Sequence, residues 1–231
     1  MANERSPEFR VRAFGPLACF TRPEMKAERV SYEVMTPAAA RGVLEAILWK
    51  PAIRWEIHAV EIHAPIVFTS FRRNEVSKKV SPVTAAHISG AAVHPPFFAD
   101  DEKNRAQRNT LALQDVDYVI RATFVMTERA GPQDNLTKFV EIFERRLKKG
   151  QCHAMPYLGC REFAANFEPA GEQRTPQIIP EKPLGYMFYD FDYGPPIRPR
   201  FFEAKIVDGV VPVPSFESTV PASALFPGDR V

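Results

Sequence analysis

The chain has 231 residues, enough for one large or two small domains with a real hydrophobic core. With 45% hydrophobic and 25% charged residues it is neither a disordered nor a fibrous sequence, and a net charge of +2 leaves any nucleic-acid surface to local clustering. No apolar run approaches a membrane span, the opening MANERSPEF lacks the apolar core of a signal peptide, and Cys19, Cys152 and Cys160 lack metal-like or paired spacing. These features read as a soluble, cytoplasmic protein without a disulfide framework.

In chain order, Phe9 to Phe14 alternates apolar and basic residues, so a half-buried strand is expected, with Arg10 and Arg12 on the face away from Phe9, Val11 and Ala13. Gly15-Pro16 is expected to end it. A loop follows that carries Arg22, Lys26 and Arg29 beside Phe20 and Tyr32, interleaved with Glu24, Glu28 and Glu33. Cations with aromatics are what a phosphate backbone with splayed bases requires, although a solvated surface loop has the same composition. Thr36-Pro37 is a helix start, with Thr as N-cap and Pro in the first turn. Ala40, Leu44, Ile47 and Leu48 then make an apolar stripe, Lys50-Pro51 stops the helix, and Trp49 is expected to pack at its end.

Ile53 to His63 and Ile66 to Thr69 read as strands. From Arg72 to about Asp115 no period is legible; the span is rich in Lys, Arg, Asn and Pro and too long for an ordinary connection, which marks a functional insert. Val116 to Thr127 returns to strand. The clearest helix follows, with Leu136, Phe139, Val140, Phe143 and Leu147 on one stripe and Gly150 as its stop. A short strand is expected through Phe167. Prolines crowd into 169–183, and strand-like runs return from Leu184 to about Val213. The order β–α–β–insert–β–α–β is that of an α+β, ferredoxin-like (RRM-like, βαββαβ) domain. It is expected over 1–168, with a Pro-rich linker over 169–183 and a small β subdomain over 184–231. The aromatic submotif of RNA-recognition modules is absent from Arg121 to Thr127, so base stacking on the sheet face is not expected.

Five strings, in order, resemble the CRISPR-associated proteins of the fifth Cas family, type I-C (Dvulg subtype). They run from Cys19 through Ile53, from Ser70 to Val76, from Lys138 to Cys152, from Pro156 to Glu168, and over Leu184–Met187 with Asp190–Asp192. The resemblance implies a subunit that binds the 5′ handle of CRISPR RNA. In many members it also cuts the precursor in the repeat without a metal, by attack of a ribose 2′-hydroxyl on the adjacent phosphate. That chemistry needs a base, an acid and a cation over the phosphorane. Family members carry a Tyr or His before Trp-Lys-Pro and often a Lys-His pair opening the second helix. Here those positions are Leu48 and Lys138-Phe139. Lys138 is therefore the candidate for charge stabilisation, and Tyr32 and His153 are candidates for proton transfer. Arg72, Arg73 and Lys78 open the insert, which the resemblance makes a thumb-like hairpin touching RNA and the backbone subunit; Arg145 is a further RNA-binding candidate on the second helix.

Two activities remain open: a metal-independent endoribonuclease that cuts precursor CRISPR RNA and keeps the handle, and a non-cutting scaffold that caps the handle. The endoribonuclease is the leading expectation. No cofactor and no metal site are expected, since no His pair has ligand spacing with an acid or cysteine. The expected partners are CRISPR repeat RNA, the backbone and large subunits of the type I-C surveillance complex, and non-specific DNA as a further ligand.

Overall fold

The computed structural model describes residues 4–25, 28–79, 81–93, 96–98, 100–171 and 174–225. Its organising element is a strand, β5 (Arg105–Met126), whose two edges each pair with two partners in succession. On one edge, β3 (Ile53–Ile62) pairs from Ile53↔Met126 to Ile62↔Tyr118, and β4 (Val67–Val76) continues from Val67↔Gln114 to Val76↔Arg105. On the other edge, β1 (Phe9–Ala18) pairs from Phe9↔Ala122 to Ala18↔Leu113, and the two-residue β2 (Arg29–Val30) lies parallel beside Thr110 and Leu111. Asp115 takes up a left-handed conformation (φ 50°) at the point where the partners change, a backbone state that Asp tolerates better than most residues.

Two helices cover one face of this sheet. Helix α1 (Pro37–Ile47) connects β1 with β3, and its N-cap Thr36 accepts a hydrogen bond from the Ala39 N–H. Its buried stripe is Pro37, Ala40, Val43, Leu44 and Ile47. The short α2 (Ala85–Ile88) lies between β4 and β5. Helix α3 (Leu136–Lys149) leads from β5 to β6 (Asn166–Pro169), buries Phe139, Phe143 and Leu147, and ends on Gly150 in the left-handed conformation. Phe143 meets Phe9 and Trp55 at 4.7 Å, and Trp55 meets Phe124 at 5.1 Å, so an aromatic cluster joins α3 to three strands. The main sheet runs β6-β1-β5-β3 and then β9 (Val210–Pro212), antiparallel along this path. The architecture is mixed α/β with a mainly antiparallel sheet.

The C-terminal region adds a second sheet, in which β7 (Lys182–Asp192) pairs with β8 (Arg198–Ile206), and β8 with β10 (Val220–Pro221). A four-residue α4 (Ala222–Leu225) follows. Arg41 of α1 clamps β7 through a two-pronged contact with Asp190 (2.6 and 3.0 Å) and also pairs with Glu45 at 2.7 Å. Glycine is required at Gly209 (φ 73°), where a Cβ would meet the Gln177 carbonyl at 2.1 Å, so this turn packs directly on the proline-rich segment.

Several sequence expectations are corrected. Strand β1 does not stop at Gly15-Pro16 but continues to Ala18. Its ladder with β6 spans Val11 to Phe14, so Pro16 lies beyond it, and Gly15 and Leu17 on either side still pair with β5. The span 72–115 is not patternless: 72–76 and 105–115 are strand, forming a two-stranded arm. Its residues alternate between exposed and half-buried, so there is no apolar face to give the period away. Trp49 does not pack at the end of α1 but stands 55% exposed. Leu48 leaves the helix in an extended conformation (φ −146°, ψ 110°), and Trp55 fills the interior instead.

Candidate nucleic-acid interface

The C-terminal end of α1 is held from three directions. Helix carbonyls in the last turn have no partner within the helix and must find one elsewhere. Here the Ala46 carbonyl accepts from the backbone N–H groups of His153 (2.7 Å) and Ala154 (3.3 Å), the Ile47 carbonyl from the Arg146 guanidinium (2.6 Å), and the Leu48 carbonyl from the Trp55 indole (3.0 Å). The positive charge of Arg146 also suits the negative end of the helix dipole. Leu48 is wholly buried, and so is Phe139 at the head of α3. Neither offers a proton.

Lys138 stands exposed in the first turn of α3. Its Nζ pairs with Asp134 at 3.1 Å, and its backbone N–H donates to the Asn135 cap at 2.9 Å. The Asp134 carboxyl is held below its ordinary value, first by the Gly131 N–H and then by Lys138. A string of contacts leads from here to the end of α1. Asp134 accepts from the Gly131 N–H (3.0 Å), the Ala130 N–H donates to the Thr127 carbonyl (3.1 Å), and the Thr127 hydroxyl donates to the Pro51 carbonyl (2.6 Å). The 127–134 turn thus links Lys138 to the Trp49-Lys50-Pro51 corner.

The three catalytic candidates do not converge. Tyr32 is buried, and its hydroxyl accepts the Phe188 N–H at 3.2 Å, anchoring the first loop to β7. Burial pushes its phenol up to about 12, with the Glu24 charge adding to this. His153 is exposed beyond the far end of α3. About 16 Å of helix separates Lys138 from that end.

The basic candidates divide into groups. Arg29 pairs with Glu75 (3.2 Å) and Glu162 (3.3 Å), and Arg73 also contacts Glu162 while lying over the rings of Phe71 (4.5 Å) and Phe163 (5.4 Å). Arg72 is exposed on the neighbouring position of β4 and bonds only weakly to Gln107 (3.5 Å). Arg29 and Arg72, with Ser70, Phe71, Asn109 and Thr110, line an open groove of about 610 Å³ at the root of the β4–β5 arm. The Thr110 hydroxyl is buried there without a hydrogen-bond partner among the described residues. Arg22 lies over the Tyr32 ring at 4.4 Å and pairs with Glu24. Lys78 is exposed past the last residue of β4, and Arg145 is exposed on α3. Lys26 falls outside the described residues, as does His94 of the insert.

The sheet face opposite the helices is occupied by its own charges. Arg10 pairs with Glu61 (2.8 Å), Arg12 grips Asp117 with two nitrogens (3.0 and 2.7 Å) and reaches Glu168 (2.6 Å), and Arg174 also meets Asp117. Few of these cations are left for phosphates. His58 and His63 belong to the same face, bonded to Thr123 (2.8 Å) and Glu61 (3.2 Å). Gly159 (φ 84°) brings the 158–160 segment against the first loop, where a Cβ would meet the Cys19 carbonyl at 2.1 Å. Cys160 thereby lies beside Cys19 and Thr21. Its thiol is pulled down chiefly by the hydrogen bond with Cys19, with Thr21 and Arg29 assisting; Cys19 is pushed up by the same bond and by burial.

The sequence reading missed Lys50, Arg54 and Arg129, which gather with the exposed Trp49, Phe191 and Tyr193 around a concavity of about 510 Å³ at the end of α1. No local signal linked them, because they come from three distant segments.

The chain belongs to the CRISPR-associated protein (Cas_Cas5) family, whose sequence model matches residues 9–214. A protein of Mannheimia succiniciproducens named CRISPR pre-crRNA endoribonuclease Cas5d is 44% identical over 216 residues, covering 90% of this chain and 95% of its own. A Thermus thermophilus protein of the same name is 40% identical over 225 residues, covering 89% and 91%. Among solved structures, one described as a CRISPR-associated protein aligns with a TM-score of 0.69 at 24% identity, over 94% of this chain and 96% of that one. A functionally uncharacterized Streptococcus mutans protein aligns with a TM-score of 0.66 at 23% identity, over 92% and 95%. These two likenesses concern the fold. Among the described residues no helix is long and apolar enough to cross a membrane.

Proposed function

We propose that this protein is a metal-independent endoribonuclease that cuts precursor CRISPR RNA in the repeat and keeps the 5′ handle as a subunit of the surveillance complex. The observation that carries the reading is 44% identity, across 90% of the chain, with a relative named as a pre-crRNA endoribonuclease. The strand order β6-β1-β5-β3, with two β–α–β units folded onto it, supports a ferredoxin-like core, and the β4–β5 arm supports the thumb-like reading of the insert. On this reading the arm's root, with Arg29 and Arg72, takes the handle backbone. The same surface serves the backbone subunit.

Lys138 is the group assigned to the scissile phosphate. As the 2′-oxygen attacks, the phosphorane gains negative charge, and an ammonium held at the positive end of α3 meets it. The 5′-oxygen then leaves with a proton, and a cyclic phosphate remains. With Leu48 and Phe139 buried, Tyr32 engaged with Phe188 and His153 about 16 Å of helix away, none of the sequence candidates stands beside Lys138 for proton transfer, which on this reading passes to solvent. Proton transfer to solvent hydroxide gives a cleavage rate that keeps rising with pH.

Burial of an apolar residue at both positions where relatives carry proton-transfer groups favours a second reading, a non-cutting scaffold that caps the handle. A labelled repeat hairpin incubated with the protein in excess EDTA separates them. One cut leaving a cyclic phosphate supports the nuclease; tight binding with intact RNA refutes it in favour of the scaffold.

A further inference from the structure

The concavity at the end of α1 has a character that the phosphate chemistry does not explain. Trp49 is 55% exposed and Tyr193 is 64% exposed, and Phe191 stands 5.0 Å from Phe188 with its own ring open to solvent. Exposed aromatics grouped in a hollow are unusual on a protein with an ample core, and grouped with cations they match a base-and-phosphate ligand. Lys50 and Arg129 have no ion-pair partner within 4 Å among the described residues, while Arg54 has Glu56 at 3.0 Å. The acids present, Glu45 and Asp190, are both taken by Arg41. The hollow is thus cationic as well as aromatic. The Thr127–Pro51 and Gly131–Asp134 contacts tie its rim to the turn carrying Lys138.

We propose that this hollow is a base-binding subsite for single-stranded RNA, in which Trp49 stacks one unpaired base next to the scissile phosphate while Lys50 and Arg129 take the flanking phosphates. The inference rests on the nuclease reading for the position of the cut, but not for the stacking itself. Trp49 fixes where the chain of the RNA turns, and so which bond is presented to Lys138. Because every base has a π face, the subsite selects for an unpaired nucleotide rather than for one sequence. Arg41 is a positioning residue here, since it holds Asp190 and donates to the Tyr193 hydroxyl at 3.3 Å.

Trp49 and the buried Trp55 are the two tryptophans of the chain, so a change in emission on RNA binding that disappears in Trp49→Leu reports the hollow. The probe is a repeat hairpin carrying 2′-deoxyribose at the cut, which binds without being cleaved. Trp49→Leu weakens its affinity roughly 5- to 150-fold, the range of one base–aromatic stack, and Trp49→Tyr restores most of it. Single abasic nucleotides placed along the RNA locate one position whose loss is matched by, and does not add to, that of Trp49→Leu. Unchanged affinity and unchanged emission overturn the proposal. Emission that responds to the other complex subunits and not to RNA also overturns it, making the hollow a protein-docking face. Wild-type protein that shows the stacking signal yet leaves all-ribose RNA uncut upholds the subsite and refutes the nuclease reading.

Discussion

Replacing Lys138 by Ala separates chemistry from stability. Among the described residues the lysine's one ion pair is an i,i+4 contact with Asp134 at 3.1 Å, both partners partly exposed, and surface pairs of this kind contribute little. The Asn135 cap accepts from the backbone N–H of residue 138 and survives the change, while Ala is the better helix former. Stability should therefore move by no more than about 0.5 kcal/mol, a shift in Tm of about 1–2 °C for a chain of this size. Loss of a charged donor aimed at a developing oxyanion costs about 10²–10³ in rate, or about 2.7–4 kcal/mol. Single-turnover cleavage of repeat RNA in EDTA, with melts of both proteins, measures the two effects side by side. Lys138→Ala should bind RNA, melt like wild type and cut at least about a hundredfold more slowly. Asp134→Asn, which releases the ammonium, should retain cutting. A Lys138→Ala protein that cuts within about threefold of wild type refutes the assignment, since that is too little for a lost transition-state contact.

Three other outcomes follow from the geometry. Tyr32→Phe leaves the Phe188 N–H without its acceptor and should cost about 1–3 kcal/mol in denaturant melts while the cleavage rate of the folded protein is unchanged; a large rate loss at unaltered stability would return Tyr32 to the chemistry. Arg72→Ala should lower the salt slope of RNA binding by about 0.7, whereas Arg73→Ala, whose charge is already engaged by Glu162, should change it less; equal slopes for wild type and Arg72→Ala remove the arm's root from the interface. Cys160, with its thiol pulled down, should react with iodoacetamide below the ordinary thiol range, and Arg29→Ala should slow it. The linkage has a definite sign: stabilisation from Cys160 is complete above the ordinary thiol value near about 8.5 and is lost as pH falls through the depressed folded value. Stability should thus rise with pH across that window, and Cys160→Ser should remove the rise. Cys19, shifted the other way, acts only at more alkaline pH.

Where local chemistry decides, the sequence was sufficient. Thr36-Pro37 starts α1 and Gly150 ends α3 because capping satisfies backbone groups within a single turn. The stripes of both helices and the alternation of β1 were legible for the same reason: burial on one face imposes a period. The five family-like strings identified the relatives before any coordinates. The strands of the β4–β5 arm were not legible, since their stability comes from pairing with each other rather than from an apolar face. Trp49 and Trp55 illustrate the limit. Both follow shortly after the end of one helix, and only the extended turn at Leu48 determines that Trp55 is buried and Trp49 faces solvent. Likewise Tyr32, His153 and Lys138 are equally plausible as letters. Tertiary structure separates them, because a hydroxyl's access to water and the span of a helix are properties of packing and not of composition.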